Sequence, residues 1–223
     1  MFCEFIDKMG NDKTVVDAAR VSFSKRTQWE RNIPAQGVFE LSAGDKKLIK
    51  YLAEHDHWSP FSHCSLSLHI GVPVFVARQL MKHQVGLSVN EVSRRYVDNE
   101  PEFYKPEKWR GRPIDKKQGS SDEMIEWLSR DRRVGSEAHK ATRHAAELYH
   151  SMIIAGVSPE QARMVLPQSM MTEFYWSGSL YAFARVCNLR CKPDAQEETR
   201  DIAWKIDEIA KEHFPISWPV LRT

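Results

Sequence analysis

Cys64-Ser65-Leu66-Ser67-Leu68-His69-Ile70 alternates apolar and polar side chains with a period of two, the pattern of a β-strand buried on one face. Val72-Pro73 closes that strand. Proline suits a first helical turn, so the apolar run from Val74 to about Lys82 is expected to be a helix. Working upstream, the mixture of Val15, Val16, Ala18, Ala19 and Val21 predicts a helix over Asp12 to Phe23, with Asp12 able to cap it. Ser24 to Gly44 is polar and irregular; Asp45 opens a second amphipathic helix, and His55 to Phe61 is a loop. Downstream, Pro101 to Ser121 holds three prolines and reads as a surface excursion. Ser120 with Glu123 reads as a capping box before a long helical region, broken at Gly135 and ending at Gly156. Ser158-Pro159-Glu160-Gln161 starts a short helix that Pro167 stops. Gln168 to Trp176 predicts a second strand, and Ser179 to Cys191 and Pro193 to His213 predict two closing helices. The class is α+β, and without repeats or boundaries residues 1–223 read as one catalytic domain.

Composition excludes several classes. Lys plus Arg is 32 against Asp plus Glu at 30, too balanced for a protein that neutralises long phosphate backbones, so no nucleic-acid partner is expected. Apolar runs such as Met152-Ile153-Ile154-Ala155 fall far short of a membrane span. Met1-Phe2-Cys3-Glu4-Phe5 lacks the basic start of a secretory signal, which makes a soluble, cytoplasmic protein the expectation. Cys3, Cys64, Cys187 and Cys191 form no C-x-x-C pair. Cys187 and Cys191 share a helical face, but with no histidine at ligand spacing they read as packing. His55, His57 and His63 lack a matching carboxylate, so no metal is expected.

The densest unexplained polarity lies between Gln79 and Tyr96. Gln79, Lys82 and His83 fall at i, i+3 and i+4 and point one way from an otherwise apolar helix. Asn90, Glu91, Ser93, Arg94 and Arg95 then offer donors and acceptors in alternation, suited to a ligand carrying an anion and a polar ring, such as a nucleotide. A solvated charged loop is the competing reading of that stretch. Arg185 and Arg190 sit in an apolar helix where long cations either snorkel to water or meet an anion, and Arg163 joins them as a second basic constellation. Gly totals 10 and no G-x-G-x-x-G or G-x-x-x-x-G-K-S occurs, so a Rossmann or P-loop site is excluded.

Lys82-His83-Gln84 followed by Ser88-Val89-Asn90-Glu91-Val92-Ser93-Arg94-Arg95-Tyr96 resembles the signature of the flavin-dependent thymidylate synthases, R-H-R, seven residues, then S in an S-x-R-Y context. Met9 to Asp12, Ala18 to Phe23, His57 to His63, Phe75 to Gln79, Ala162 to Pro167 and Asn188 to Arg190 look like further blocks of that family, in order along nearly the whole chain. Lys82 and Gln84 depart from arginine, and one extra residue precedes Ser93; Gly86 is placed to absorb it in a bulge.

The resemblance implies a helix-wrapped antiparallel sheet, a homotetramer with active sites built from more than one subunit, and methylation of dUMP to dTMP with FAD, methylenetetrahydrofolate as one-carbon donor and NADPH as reductant. Carried over residue by residue, Gln79, Lys82, Glu91, Val92, Ser93, Arg94, Arg95, Arg163 and Arg190 match positions that hold dUMP. Ser59, Lys82, His83, Gln84, Glu91, Ser179, Tyr181 and Arg185 match positions that hold FAD. Arg190 is the residue expected to stabilise charge on the uracil ring, and Ser93 to position substrate rather than attack it. The Pro-Cys nucleophile of the flavin-free enzymes is missing. A flavin-dependent pyrimidine hydroxymethylase, a nucleic-acid-binding module and a degenerate, inactive subunit are the alternatives.

Overall fold

A computed structural model of the chain describes residues 1–28, 30–33, 38–114 and 119–222. Its centre is a four-stranded antiparallel sheet in the order β1-β4-β8-β5. The strands are β1 (Phe2–Met9), β4 (Ser65–Pro73), β5 (Leu87–Glu91) and β8 (Met171–Ser179). Two short ribbons stand apart from it, β2 (Glu30–Ile33) with β3 (Val38–Glu40) and β6 (Trp127–Ser129) with β7 (Arg132–Arg133). The helices are α1 (Asp12–Arg20), α2 (Ala43–Glu54), α3 (Val74–Leu80), α4 (Val134–Ile154), α5 (Pro159–Ala162), α6 (Leu180–Arg190), α7 (Glu197–His213) and α8 (Ser217–Leu221).

The alternation in β4 does what it predicts. Leu66, Leu68, Ile70 and Val72 are fully buried, and the register sets Leu68 beside Trp176 and Ile70 beside Phe174 of β8. Against this face pack Val76, Ala77 and Leu80 of α3, Leu180, Phe183 and Ala184 of α6, and Ile202 and Ile206 of α7. Trp176 meets Phe174 and Phe183 edge to face, at 6.2 and 5.3 Å between centroids. Each such ring contributes roughly 2–3 kcal/mol through burial. The opposite face carries the polar set, with Ser67 and Ser177 sharing a hydrogen bond at 2.8 Å and His69 bonded to Glu173 at 3.0 Å.

Several expectations change. β1 has no clean alternation in sequence and is mostly exposed; it is held at the sheet edge by nine-residue β4 and by Phe5 stacking on His213 at 3.9 Å. Asn11, not Asp12, caps α1 with Thr14 in a reciprocal box, and the helix gives way to a 3₁₀ turn at Val21–Phe23. Asp12 is buried and accepts the backbone N–H groups of Ile216 (3.1 Å) and Ser217 (2.8 Å) instead. Ser42 caps α2, placing Asp45 inside it. Within Ser24 to Gly44 the described residues include the β2–β3 ribbon, while Trp29 and residues 34–37 lie outside the description. Ser120 and Glu123 form no capping box. Ser120 accepts a hydrogen bond from Arg110 at 2.8 Å, the chain runs on as a ribbon, and α4 starts only at Val134 with Gly135 in its first turn. The Pro101–Ser121 excursion is tethered: Tyr104 N–H reaches the Ser169 carbonyl at 2.8 Å, and Pro101 and Gly111 are buried. Gly156, at φ +88°, ends α4 as expected.

Candidate active site

Burial of Val76, Ala77 and Leu80 turns Gln79 to the other side of α3, half-buried, and the chain leaves the helix through Lys82 and His83. In α6, Ser179 accepts the Ala182 N–H at 3.2 Å and starts the helix. The buried stripe then leaves Tyr181, Arg185 and Leu189 on the outer face, with Arg190 half-buried at the end. These two elements meet at Arg190, whose Nε donates to His83 Nε2 at 3.0 Å and whose Nη2 lies 3.4 Å from the Gln79 carbonyl. A guanidinium only donates, so His83 Nε2 accepts and the imidazole is neutral. Burial, and then the charges of Arg190 and Arg185, hold the His83 pKa below its ordinary value. Among the described residues, Arg190 Nη1 makes no hydrogen bond.

Behind Gln79 runs a polar chain that is not apparent from sequence. Gln79 Nε2 donates to Gln196 Oε1, Gln196 Nε2 donates to Glu198 at 3.0 Å, and Arg110 Nη2 clasps both Glu198 oxygens at 2.7 and 2.8 Å. Arg110 Nη1 also reaches Glu197 at 3.0 Å. Burial pushes the Glu198 carboxyl up, but the Arg110 bonds outweigh it and hold the group below its usual range. In sequence, Gln196-Glu197-Glu198 looks like acidic residues complementing a helix N-terminus, which hides the role. Arg110, Gln196 and Glu198 also line a cleft of about 440 Å³ walled by Phe75, Tyr104 and Trp109, which touches the Arg190 cluster through Gln196.

Of the residues matched to FAD, Ser59, Ser179, Tyr181 and Arg185 lie on or beside α6, while Glu91 lies at the end of β5. Tyr181 donates to Asp56 at 2.9 Å and stands 6.2 Å from the Trp58 ring, next to exposed Ser59. Burial, then Asp56, raises the Tyr181 pKa and keeps the phenol protonated. Arg185 follows one turn later, close enough to His83 to bias it electrostatically. The turn after Gln84 is pinned at Gly86, φ +77°, whose carbonyl accepts the Ser179 N–H at 3.0 Å. A Cβ on neighbouring Gly178 would collide with that carbonyl, so the two glycines let β5 approach β8 closely. Guanidinium, hydroxyls and aromatic rings on one ledge are a donor set that fits a flavin dinucleotide. In sequence, Asp56 reads only as a loop residue.

Other matched residues lie elsewhere. β5 carries the chain about 13 Å, at roughly 3.3 Å per residue, from Leu87 to Glu91, leaving Glu91, Val92, Ser93, Arg94 and Arg95 at its far end. There Glu91 accepts from Thr172 at 2.7 Å, Ser93 Oγ accepts from Arg95 Nε at 3.2 Å, Arg94 bonds the Asn99 carbonyl, and Arg95 lies over the Tyr96 ring at 5.0 Å. Among the described residues no hydrogen bond or ion pair joins these to Arg190 or His83, and no imidazole or carboxylate is bonded to Ser93 to activate it. Lys82, Gln84 and Arg163 are exposed, the Arg163 side chain donating to the Glu160 carbonyl at 3.2 Å. Among the described residues no three His, Cys, Asp or Glu side chains are placed to hold a metal, and no helix is long and apolar enough to cross a membrane.

The family model for thymidylate synthase complementing protein matches residues 4–216. A flavin-dependent thymidylate synthase of Thermus thermophilus is 39% identical over 219 residues, 97% of this chain and 74% of that protein. One from Thermosipho melanesiensis is 35% identical over 214 residues, 96% of this chain and 87% of that protein. Among solved structures, the UMP/dUMP methylase PolB of Streptomyces cacaoi, bound with 5-Br dUMP, superposes with a TM-score of 0.78 at 28% identity, covering 98% of this chain and 93% of that one. The order of blocks, the sheet topology and these matches together make the chain a member of the flavin-dependent thymidylate synthase family, a family of enzymes.

Proposed function

We propose that this chain, as a single cytoplasmic catalytic domain, methylates dUMP to dTMP, taking the one-carbon unit from methylenetetrahydrofolate and electrons from NADPH through FAD. The observation that carries the reading is the Arg190–His83–Gln79 junction: a guanidinium oriented by a neutral imidazole, with Nη1 left to face a ligand oxygen. Bound FAD would supply the redox chemistry that folate alone does not. The chain's residues do the rest. Arg190 meets negative charge as it develops on the uracil ring, an interaction stronger in the transition state than in the ground state. His83 holds that guanidinium in place, and Gln79 presents its amide to the substrate. Ser59, Ser179, Tyr181 and Arg185 line the flavin ledge with Lys82, His83 and Gln84. Glu91, Val92, Ser93, Arg94 and Arg95, remote from Arg190 within one chain, complete a neighbouring subunit's dUMP site together with Arg163 in a homotetramer, Ser93 positioning substrate.

Purified protein should be yellow, release FAD on denaturation, lose its visible flavin absorbance with NADPH, and form dTMP from dUMP and methylenetetrahydrofolate. Colourless protein that still makes dTMP overturns the assignment. A second reading, in which UMP is also accepted, is favoured by the likeness to a UMP/dUMP methylase. Turnover of UMP assayed beside dUMP separates the two.

A further inference from the structure

Under the proposed function Gln79 belongs to the nucleotide site. On that reading we infer that Gln196, Glu198 and Arg110 form a clamp that fixes which way the Gln79 amide points, and that they are positioning residues for nucleotide binding. Hydrogen-bond polarity dictates the order of the chain. Arg110 can only donate, and it holds both oxygens of Glu198 at 2.7 and 2.8 Å. An ionised carboxylate can only accept, so the Gln196 group facing it at 3.0 Å must be the amide nitrogen. The Gln196 carbonyl oxygen is thereby turned toward Gln79, which must answer with its own Nε2. The two ends of a glutamine amide have almost the same shape, and an unclamped one flips to suit either a donor or an acceptor. Here the flip would set two carbonyl oxygens face to face.

Gln79 is left with one N–H and its carbonyl oxygen for a ligand, in a fixed order. Gln196 is free for this task because, although it occupies the N-cap of α7, its side chain makes no capping bond. Glu198 is 5% exposed, so its pairing with Arg110 is shielded from water. Arg110 itself is further held by Ser120 and Glu197, which fixes the donor end of the clamp.

Calorimetric titration of dUMP into the FAD-loaded enzyme tests the clamp through a double-mutant cycle. Glu198→Gln keeps the shape but lets the chain of amides reverse, and Gln79→Ala removes the group being aimed. Glu198→Gln should weaken dUMP binding roughly three- to tenfold, the scale of one hydrogen bond, and raise KM more than it lowers kcat. In the Gln79→Ala background the same change should leave dUMP affinity within about twofold. Equal losses in both backgrounds, or no loss in either, overturn the inference. Gln196→Ala breaks the same chain one link nearer and must show the same dependence on Gln79 if Glu198→Gln does not fold. Parental dUMP affinity in Gln79→Ala alone would instead remove Gln79 from the nucleotide site, and the clamp's role with it.

Discussion

Replacing Gly86 with alanine tests whether the turn between Gln84 and β5 is built for glycine. At φ +77° an L-residue carries about 1–2 kcal/mol of backbone strain. The added Cβ would lie 3.1 Å from Ala182 Cβ and 3.2 Å from Ser179 Oγ, inside ordinary contact distance, and forcing α6 and the turn apart adds about 1–2 kcal/mol. Together these give a loss of about 2–4 kcal/mol. At about 2–4 °C per kcal/mol for a chain of this length, the melting midpoint should fall by roughly 4–16 °C. Gly86→Asn shares the Cβ contact but tolerates the left-handed region, so it should lie between alanine and the parent. Calorimetric melting of the three proteins, with flavin content read from absorbance, provides the comparison; displaced α6 residues should also lower flavin retention in the alanine variant. A Gly86→Ala protein with the parent's midpoint and flavin content would refute the reasoning, and equal losses for alanine and asparagine would assign the whole effect to the contact.

Arg190→Ala should reduce dTMP formation by at least about a hundredfold while Cys187→Ala retains it, since burial pushes the Cys187 thiol well up and its Sγ bonds only the Ala203 carbonyl at 3.5 Å and the neighbouring Cys191; steady-state assays of both check this. Asp12→Ala should destabilise the fold by about 2–5 kcal/mol in urea denaturation, because it strands the amides of Ile216 and Ser217. The folded Glu198 carboxyl titrates below its ordinary 4.5, so its contribution to stability is present above that pH and fades as pH falls through the lower folded value. Glu198→Gln should flatten this acid limb in melts recorded from pH 6 down to about pH 3.

The central part of the fold was legible because burial imposes a period on it: Leu66, Leu68 and Ile70 cannot avoid alternating, and Pro73 marks the change to helix. β1 was not legible, because an edge strand exposed along most of its length is under no such constraint and owes its place to β4 and α7. The helix start predicted at Ser120 failed for a related reason, the serine being taken by Arg110 from ten residues upstream, although the helix itself forms from Val134. At the site, Arg190 and His83 carried a signal as polar groups on apolar elements. The clamp behind Gln79 did not, since its members are 88 and 117 residues from their partners and each looks ordinary where it stands.

The Asp12 carboxylate bears on the order in which the molecule is made. Its partner amide at Ser217 lies 205 residues further on, so at synthesis rates of about 5–20 residues per second roughly 10–40 s separate the two. Through that interval β1 can find β4, but Asp12 has no Ile216 or Ser217 amide to bond and stays hydrated. Arrival of α8 exchanges that water for two backbone N–H groups, so the carboxylate at the start of α1 is satisfied only by a helix synthesised 205 residues later.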